Sequence, residues 1–259
     1  MPPKAHYSDL DGRIREVISD PNNARIPRVA NAGHVVKKRG HNCIVSHTGL
    51  LMEQESCYGE YGKVMIYNRG VHEAQEEYVF SQVLNALDGT APMIELGSYW
   101  AYYSLMYKQR FPDADTYMME PDKERLARGE VNFALNDMQG TEFKVGGIRE
   151  GGVNMTTFCS NRHINDIGIL HSDIQGAEIR LLHENNEIFV KRMPKFVFIS
   201  THGQDTHTCC RNKLVELGYC IVADADCDND TFSCDGLLVA CRAYMDFNFI
   251  EVFSRSHLI

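Results

Sequence analysis

Residues 93–104 read Met-Ile-Glu-Leu-Gly-Ser-Tyr-Trp-Ala-Tyr-Tyr-Ser, and this stretch decides the fold. An apolar run carries an acid, Glu95, and reaches a glycine, Gly97. A helix-compatible segment, 99–110, follows at once. A second apolar run, Tyr117-Met118-Met119, ends in Glu120. Strand, tight turn, helix, strand and terminal carboxylate make the front half of a nucleoside-binding α/β unit. Gly97 allows the close backbone approach that a nucleoside needs after the first strand. Glu120 lies 23 positions beyond Gly97, near the ~20 expected for an acid on ribose hydroxyls. Both vicinal hydroxyls can donate to one carboxylate, which is why an acid belongs there.

Outward from this stretch, strands and helices alternate. Strands are expected at 92–96, 115–120, 142–146, 166–172, 195–200, 219–224 and 236–242. Helices are expected at 99–110, 122–136, 176–185 and 206–217, with a loop from 146 to about 163. This alternation predicts an α/β fold with a mostly parallel sheet and helices on both faces. Tyr219-Cys-Ile-Val and Gly236-Leu-Leu-Val-Ala have only a polar connection, 224–235, between them, so they read as an antiparallel pair. Upstream, His72–Leu87 carries an apolar stripe at helical spacing, and Glu73, Glu76 and Glu77 suit the dipole of its first turns. Residues 1–35 are polar, hold Pro2, Pro3, Pro21 and Pro27, and contain one helix near 8–19. Residues 41–70 show scattered glycines and aromatics without a clean period.

At 259 residues the chain can bury a full core. Its net charge of −9 argues against a nucleic-acid backbone or an anionic membrane as the main partner. No run approaches the ~18 apolar residues of a membrane span, and the first residues lack the apolar core of a signal peptide, which predicts a cytoplasmic location. Nine cysteines include no Cys-x-x-Cys pair. Cys220, Cys227, Cys234 and Cys241 recur every seven residues, but structural zinc sites use closely spaced ligand pairs. They read as reduced, small apolar residues.

A second group of polar residues falls at the carboxyl ends of later strands. Ile167-Gly-Ile-Leu-His-Ser delivers Asp173 to the sheet edge where ligands of such folds bind. Gly176 then permits a sharp turn into a helix with Glu178 in its first turn, where a carboxylate can orient a ligand or act as a general base. The strand Phe196-Val-Phe-Ile-Ser runs into Thr201-His202-Gly203, and His207 begins the next helix. His202 reads as a general base, since imidazole titrates near neutrality. Asp173, His202 and His207 holding a divalent metal is the less favoured reading, and a satisfied structural histidine is the plain one.

Together these segments resemble the FkbM-type S-adenosylmethionine-dependent methyltransferases. Residues 93–104 look like that family's first motif, and Glu120-Pro121-Asp122 with Val131-Asn-Phe-Ala-Leu-Asn looks like its ribose-binding strand and following helix. Leu170-His-Ser-Asp-Ile-Gln-Gly-Ala-Glu is similar to its Asp-x-x-Gly-Ala-Glu segment, and Thr201-His-Gly and Leu217-Gly-Tyr fit its later strands. Two departures stand out: Ala101 replaces a glycine, and His171-Ser172 stands where a lysine commonly precedes the Asp segment.

The resemblance implies a Rossmann-like class I methyltransferase fold with seven strands and an antiparallel last strand. It implies an N-terminal helical appendage, 1–70, capping the site of an S-adenosylmethionine-binding catalytic domain, 71–259. Glu95, Gly97, Ser98, Tyr99, Trp100, Glu120, Pro121, Gly147, Ile148 and Asp173 would hold the cofactor, and Asp173 and His202 would serve catalysis. No metal is expected among the site residues. Tyr58, Tyr61 and Tyr67 could stack on an acceptor, although ordinary packing is the plainer reading. The implied reaction is methyl transfer to a hydroxyl of a sugar, glycan or natural-product small molecule; a homo-oligomer is compatible with it. A nicotinamide-dependent oxidoreductase is the rival enzyme, but it needs a second set of phosphate-binding glycines. A non-catalytic nucleoside-binding protein on the same scaffold is the third reading, which Ala101 keeps open.

Overall fold

The structure is a computed structural model and describes residues 9–57, 59–191, 193–245 and 247–258. Pro2, Pro3 and Tyr58 lie outside the described residues. The first part of the chain forms α1 (Leu10–Ser19), β1 (Val35–Lys38), β2 (His41–Val45), β3 (Leu51–Glu53) and α2 (Gly62–Tyr67). Then come α3 (Ala74–Ala86), β4 (Met93–Leu96), α4 (Tyr102–Arg110), β5 (Thr116–Glu120), α5 (Lys123–Leu135) and β6 (Glu142–Val145). The remainder is α6 (Met155–Asn161), β7 (Ile167–Ser172), α7 (Glu178–Glu184), α8 (Asn186–Val190), β8 (Pro194–Thr201), α9 (Gln204–Glu216), β9 (Tyr219–Ala225) and β10 (Gly236–Arg242).

The main sheet has the order β6-β5-β4-β7-β8-β10-β9. β4 runs parallel to both β5 and β7, and β10 runs antiparallel to β8 and β9. This is the strand order of the Rossmann-like class I methyltransferase fold, antiparallel strand included. The chain starts in mid-sheet at β4, builds outward to β6, and returns at β7 to build the other half. The switch point therefore lies between β4 and β7, where open α/β sheets bind ligands outside the strand ends.

The strands form because alternate residues are apolar on both faces, as a sheet covered on both sides requires. Met93, Met118, Ile169, Phe196, Phe198 and Val239 pack on one face against α3, α4 and α5. Ile94, Met119, Leu170, Val197, Ile199 and Leu238 pack on the other against α6 to α9. The segment expected to be a plain loop before β7 contains α6, whose N-cap Asn154 accepts from the Thr157 N–H.

The N-terminal appendage departs from the expected set of helices. Besides α1 and α2 it contains an antiparallel sheet, β1-β2-β3. A two-residue turn joins β1 to β2, with Arg39 at φ 51° and Gly40 at φ 88°, the left-handed pair that suits strand twist. Strands of three to five residues are too short to show a clear two-residue period.

Asn132 of α5 and Asn136, the residue that caps the end of this helix, attach this small sheet. Asn136 exchanges hydrogen bonds of 2.8 Å with both the N–H and the carbonyl of Leu51. Asn132, fully buried, accepts from the Glu53 N–H at 2.8 Å and donates to Ser56 Oγ at 3.1 Å and to the Trp100 carbonyl at 3.0 Å. One side chain thus ties the appendage to the loop after β4. Asn132→Ala leaves buried polar groups without partners, each costing about 1–3 kcal/mol. We expect urea unfolding to show a loss of about 3 kcal/mol; a loss under about 1 kcal/mol would mean that water replaces the asparagine.

Candidate functional site

Gly97 sits at φ 74°, and a Cβ there would lie 1.7 Å from the Asp173 carbonyl oxygen. The backbones after β4 and β7 therefore touch, and only glycine permits it. Both Gly97 and Ser98 donate to the Met119 carbonyl, at 2.8 and 3.0 Å, and the Asp173 N–H donates to the Leu96 carbonyl at 3.0 Å. Three strand ends are joined in one place. Tyr99 and Ala101 also take positive φ, 39° and 58°. Ala101 occupies the position of the missing glycine, and α5 offers Gly129 opposite it. A Cβ at 129 would lie 3.1 Å from the Ala101 Cβ. The extra methyl on the loop is accommodated by a missing one on the helix behind.

A cavity of about 460 Å³ opens at this switch point. Gly97, Tyr99, Glu120 and Pro121 line one side, and Gly147, Ile148 and Asp173 line another. Arg125, Arg149 and Gln175 also face it, and no spacing in the sequence marked them. Glu120 accepts from the N–H groups of Tyr99 at 3.3 Å and Asp122 at 3.1 Å. Burial raises its carboxyl above the usual range, and these two N–H groups oppose the rise. A carboxylate in this setting has spare lone pairs for hydroxyl donors.

Three residues expected at the cofactor are held behind the cavity instead. Glu95 is buried and accepts from both the N–H and the hydroxyl of Ser104, pinning the start of α4. Burial raises its carboxyl, while the charge of His171 and the Ser104 bonds pull it down. Trp100 is buried, stacked on Tyr102 at 5.2 Å and edge-on to His72 at 5.1 Å, as a core anchor. Ser98 is buried too, and its Oγ has no protein hydrogen-bond partner.

A second cavity, of about 260 Å³, shares Asp173 and Gln175 with the first. Arg13 of α1, Tyr61, His72, Glu73 and Asp235 line it. His202, not itself in this lining, sits beside two of its carboxylates. Nδ1 lies 2.7 Å from Glu178, and Nε2 lies 3.3 Å from Asp173 and 3.4 Å from Asp235. Burial opposes the ring's charge, but Asp173 and Glu178, with Asp235 adding to them, raise it to about 11. An imidazole already protonated cannot take a proton, so in this state His202 is a fixed cation and not the free base expected. Glu178 is completely buried, bonded to His202 and to the Gly176 N–H at 3.0 Å. It positions the ring.

His207 does not join this group. It is buried between the Thr201 hydroxyl and Asp224, at 2.8 Å from each. The metal reading of Asp173, His202 and His207 therefore has no geometric basis. Among the described residues no group of three or more His, Cys, Asp and Glu is placed to hold a metal ion. Cys220 and Cys241 face each other across β9 and β10, while Cys227 lies on Thr201 at the strands' far end.

The acids at the start of α3 stand at its N-cap and in its first turn, as expected, and are buried or half-buried against partners as well. Glu77 lies 3.1 Å from His47 and accepts from Tyr102 at 3.0 Å. Glu76 lies 2.8 Å from His171 on β7. Glu73 accepts from Arg13 at 3.0 Å and from the Ser233 hydroxyl. Of the three, Glu73 lines the second cavity.

No family model matches this chain, and no curated protein matches it. Among solved structures it is similar to ribosomal protein L11 methylase from Lactobacillus delbrueckii subsp. bulgaricus, at 13% identity over 68% of this chain and 82% of that one, with a TM-score of 0.44. It is similar to M. capricolum TrmK in complex with S-adenosyl-homocysteine, at 13% identity over 67% and 71%, with a TM-score of 0.43. It is also similar to precorrin-6y C5,15-methyltransferase from Geobacter metallireducens GS-15, at 14% identity over 63% and 87%, with a TM-score of 0.44. Likeness at this level says nothing about activity. Among the described residues no helix is long and apolar enough to cross a membrane.

The His202 cluster has a pH signature. The ring sits at about 11 in the fold against an ordinary 6.5, so its contribution to stability is complete below about pH 6.5 and is lost as pH rises toward 11. We expect nitrogen NMR of the imidazole to show His202 doubly protonated at about pH 9, two pH units below its value in the fold. A neutral ring by about pH 8 would contradict the assignment.

Proposed function

We propose that the chain is an S-adenosylmethionine-dependent methyltransferase acting on a hydroxyl of a small acceptor, a sugar, glycan or natural product, in the manner of the FkbM-type enzymes it resembles. The observation that carries this reading is the meeting of two cavities at Asp173 and Gln175. One has the glycine turn and ribose acid of a nucleoside site; the other is lined with proton-handling groups.

The residues fit the cofactor. Gly97 leaves its loop without a side chain where the strand ends converge, Glu120 in the lining would accept from the ribose hydroxyls, and Gly147 and Ile148 would flank the adenine. When bound, the cofactor supplies an already activated methyl group. The protein's own task is then to place the acceptor and handle one proton.

Glu73, Asp173 and Asp235 around the second cavity disfavour a polyanionic acceptor, in keeping with the net charge of −9. Tyr61, half-exposed at the cavity, offers a ring face to a sugar or an apolar acceptor. We assign residues 1–70 to acceptor choice, since Arg13 and Tyr61 both come from them.

Titration calorimetry tests the cofactor directly. S-adenosylmethionine and its demethylated product should bind and NAD should not; binding of NAD alone would overturn the reading. Glu120→Ala removes the acceptor of two ribose hydroxyls, and charged hydrogen bonds contribute about 1.5–3 kcal/mol each. We expect at least about thirtyfold weaker binding, ~2 kcal/mol. Unchanged affinity would remove Glu120 from the site.

A further inference from the structure

We propose that Asp235 takes the acceptor's proton, with the imidazolium of His202 as its positioning partner. This rests on the cofactor reading above and goes beyond it, because Asp235 belongs to no motif. It lies on the polar connection between β9 and β10 and lines the second cavity but not the first, whereas Asp173 lines both.

Pairing of charges singles it out. Glu178 neutralises His202 through Nδ1. Arg13 and the Ser233 hydroxyl hold Glu73. Behind Asp235 a small cavity of about 20 Å³ is lined by Asp20 and Glu76 as well. Asp20 accepts from the side chain and N–H of Asn22, and Glu76 is paired with His171. His72 and Cys234 complete the surroundings. Asp173, which also accepts from the neutral Gln175 side-chain amide at 2.9 Å, and Asp235 are then left sharing one cation, His202, whose Nε2 lies 3.3 and 3.4 Å away. Nε2 lines up as a hydrogen bond with neither.

Two carboxylates on one donor hold a surplus negative charge that a proton relieves. Of the two, Asp235 is the one that lines the second cavity without lining the first, which places it on the acceptor side. Burial raises the Asp235 carboxyl to about 7; the charge of His202 opposes this, and Glu73 and Asp173 add to it. A base in that range is matched to neutral pH. In the transfer, the carbon–oxygen bond forms as the carbon–sulfur bond breaks with its electron pair staying on sulfur, and the hydroxyl proton passes to the Asp235 carboxylate.

The test needs no acceptor. Calorimetry on the full chain, in buffers of different ionisation enthalpy, counts protons released when S-adenosylmethionine or its uncharged-sulfur product binds. The extra positive charge of the former should expel a larger fraction of a proton near neutral pH. The difference should peak at about pH 7 in the wild type. It should vanish in Asp235→Asn and move to higher pH in His202→Gln, which removes the opposing charge. Equal proton release by both ligands, or a difference that survives Asp235→Asn, would overturn the proposal while leaving the cofactor reading intact. If Asp235→Asn fails to fold, the wild-type profile decides: a flat one overturns the proposal. Failure of both ligands to bind would overturn the cofactor reading and this proposal with it.

Discussion

The structure turns on the contact between Gly97 and the Asp173 carbonyl. No side chain fits between these two backbones. The loop after β4 and the loop after β7 are consequently fixed against each other at the switch point of the sheet. One loop shapes the first cavity and the other carries a residue common to both cavities. The left-handed Tyr99 and Ala101 follow from the same tight turn. Backbone strain of this kind persists where surrounding structure over-determines it. Here Met119, Glu95 and Asn132 do so, through hydrogen bonds to Gly97, Ser104 and Trp100.

Around that contact the polar groups are arranged in pairs. His202–Glu178, His171–Glu76 and Glu73–Arg13 each bury a charge beside its opposite. Such pairs are weak evidence for stability, but removal of one partner strands the other. Their effect at the site is to leave Asp173 and Asp235 as the carboxylates not matched one to one. Electrostatics and topology therefore select the same place.

Much of the fold was legible because its strands are buried on both faces. The near-continuous apolar runs at 93–96, 117–119 and 196–199 stop at polar residues where the sheet ends. That is why the strand ends carrying Gly97, Glu120 and Asp173 could be placed from residues alone. What could not be read depends on distant partners. Glu73, Glu76 and Glu77 read only as acids suited to the helix dipole; their pairing with Arg13, His171 and His47 comes from other elements. Glu95 looks like a ligand contact until Ser104 claims it. His202 looks like a base until three carboxylates surround it. The strands β1 to β3 are short and owe their placement to an asparagine on α5 and the one that caps it, so their own periodicity is silent.

The central claim is that one continuous site spans both cavities, with the reacting end of the cofactor at Asp173. A crystal structure of the chain with S-adenosylhomocysteine tests it most directly. The account predicts the ribose on Glu120, the adenine beside Ile148, and the sulfur at the Asp173–Gln175 junction, facing the cavity that holds Asp235. A sulfur pointing away from that junction, or a nucleoside bound elsewhere, would contradict it.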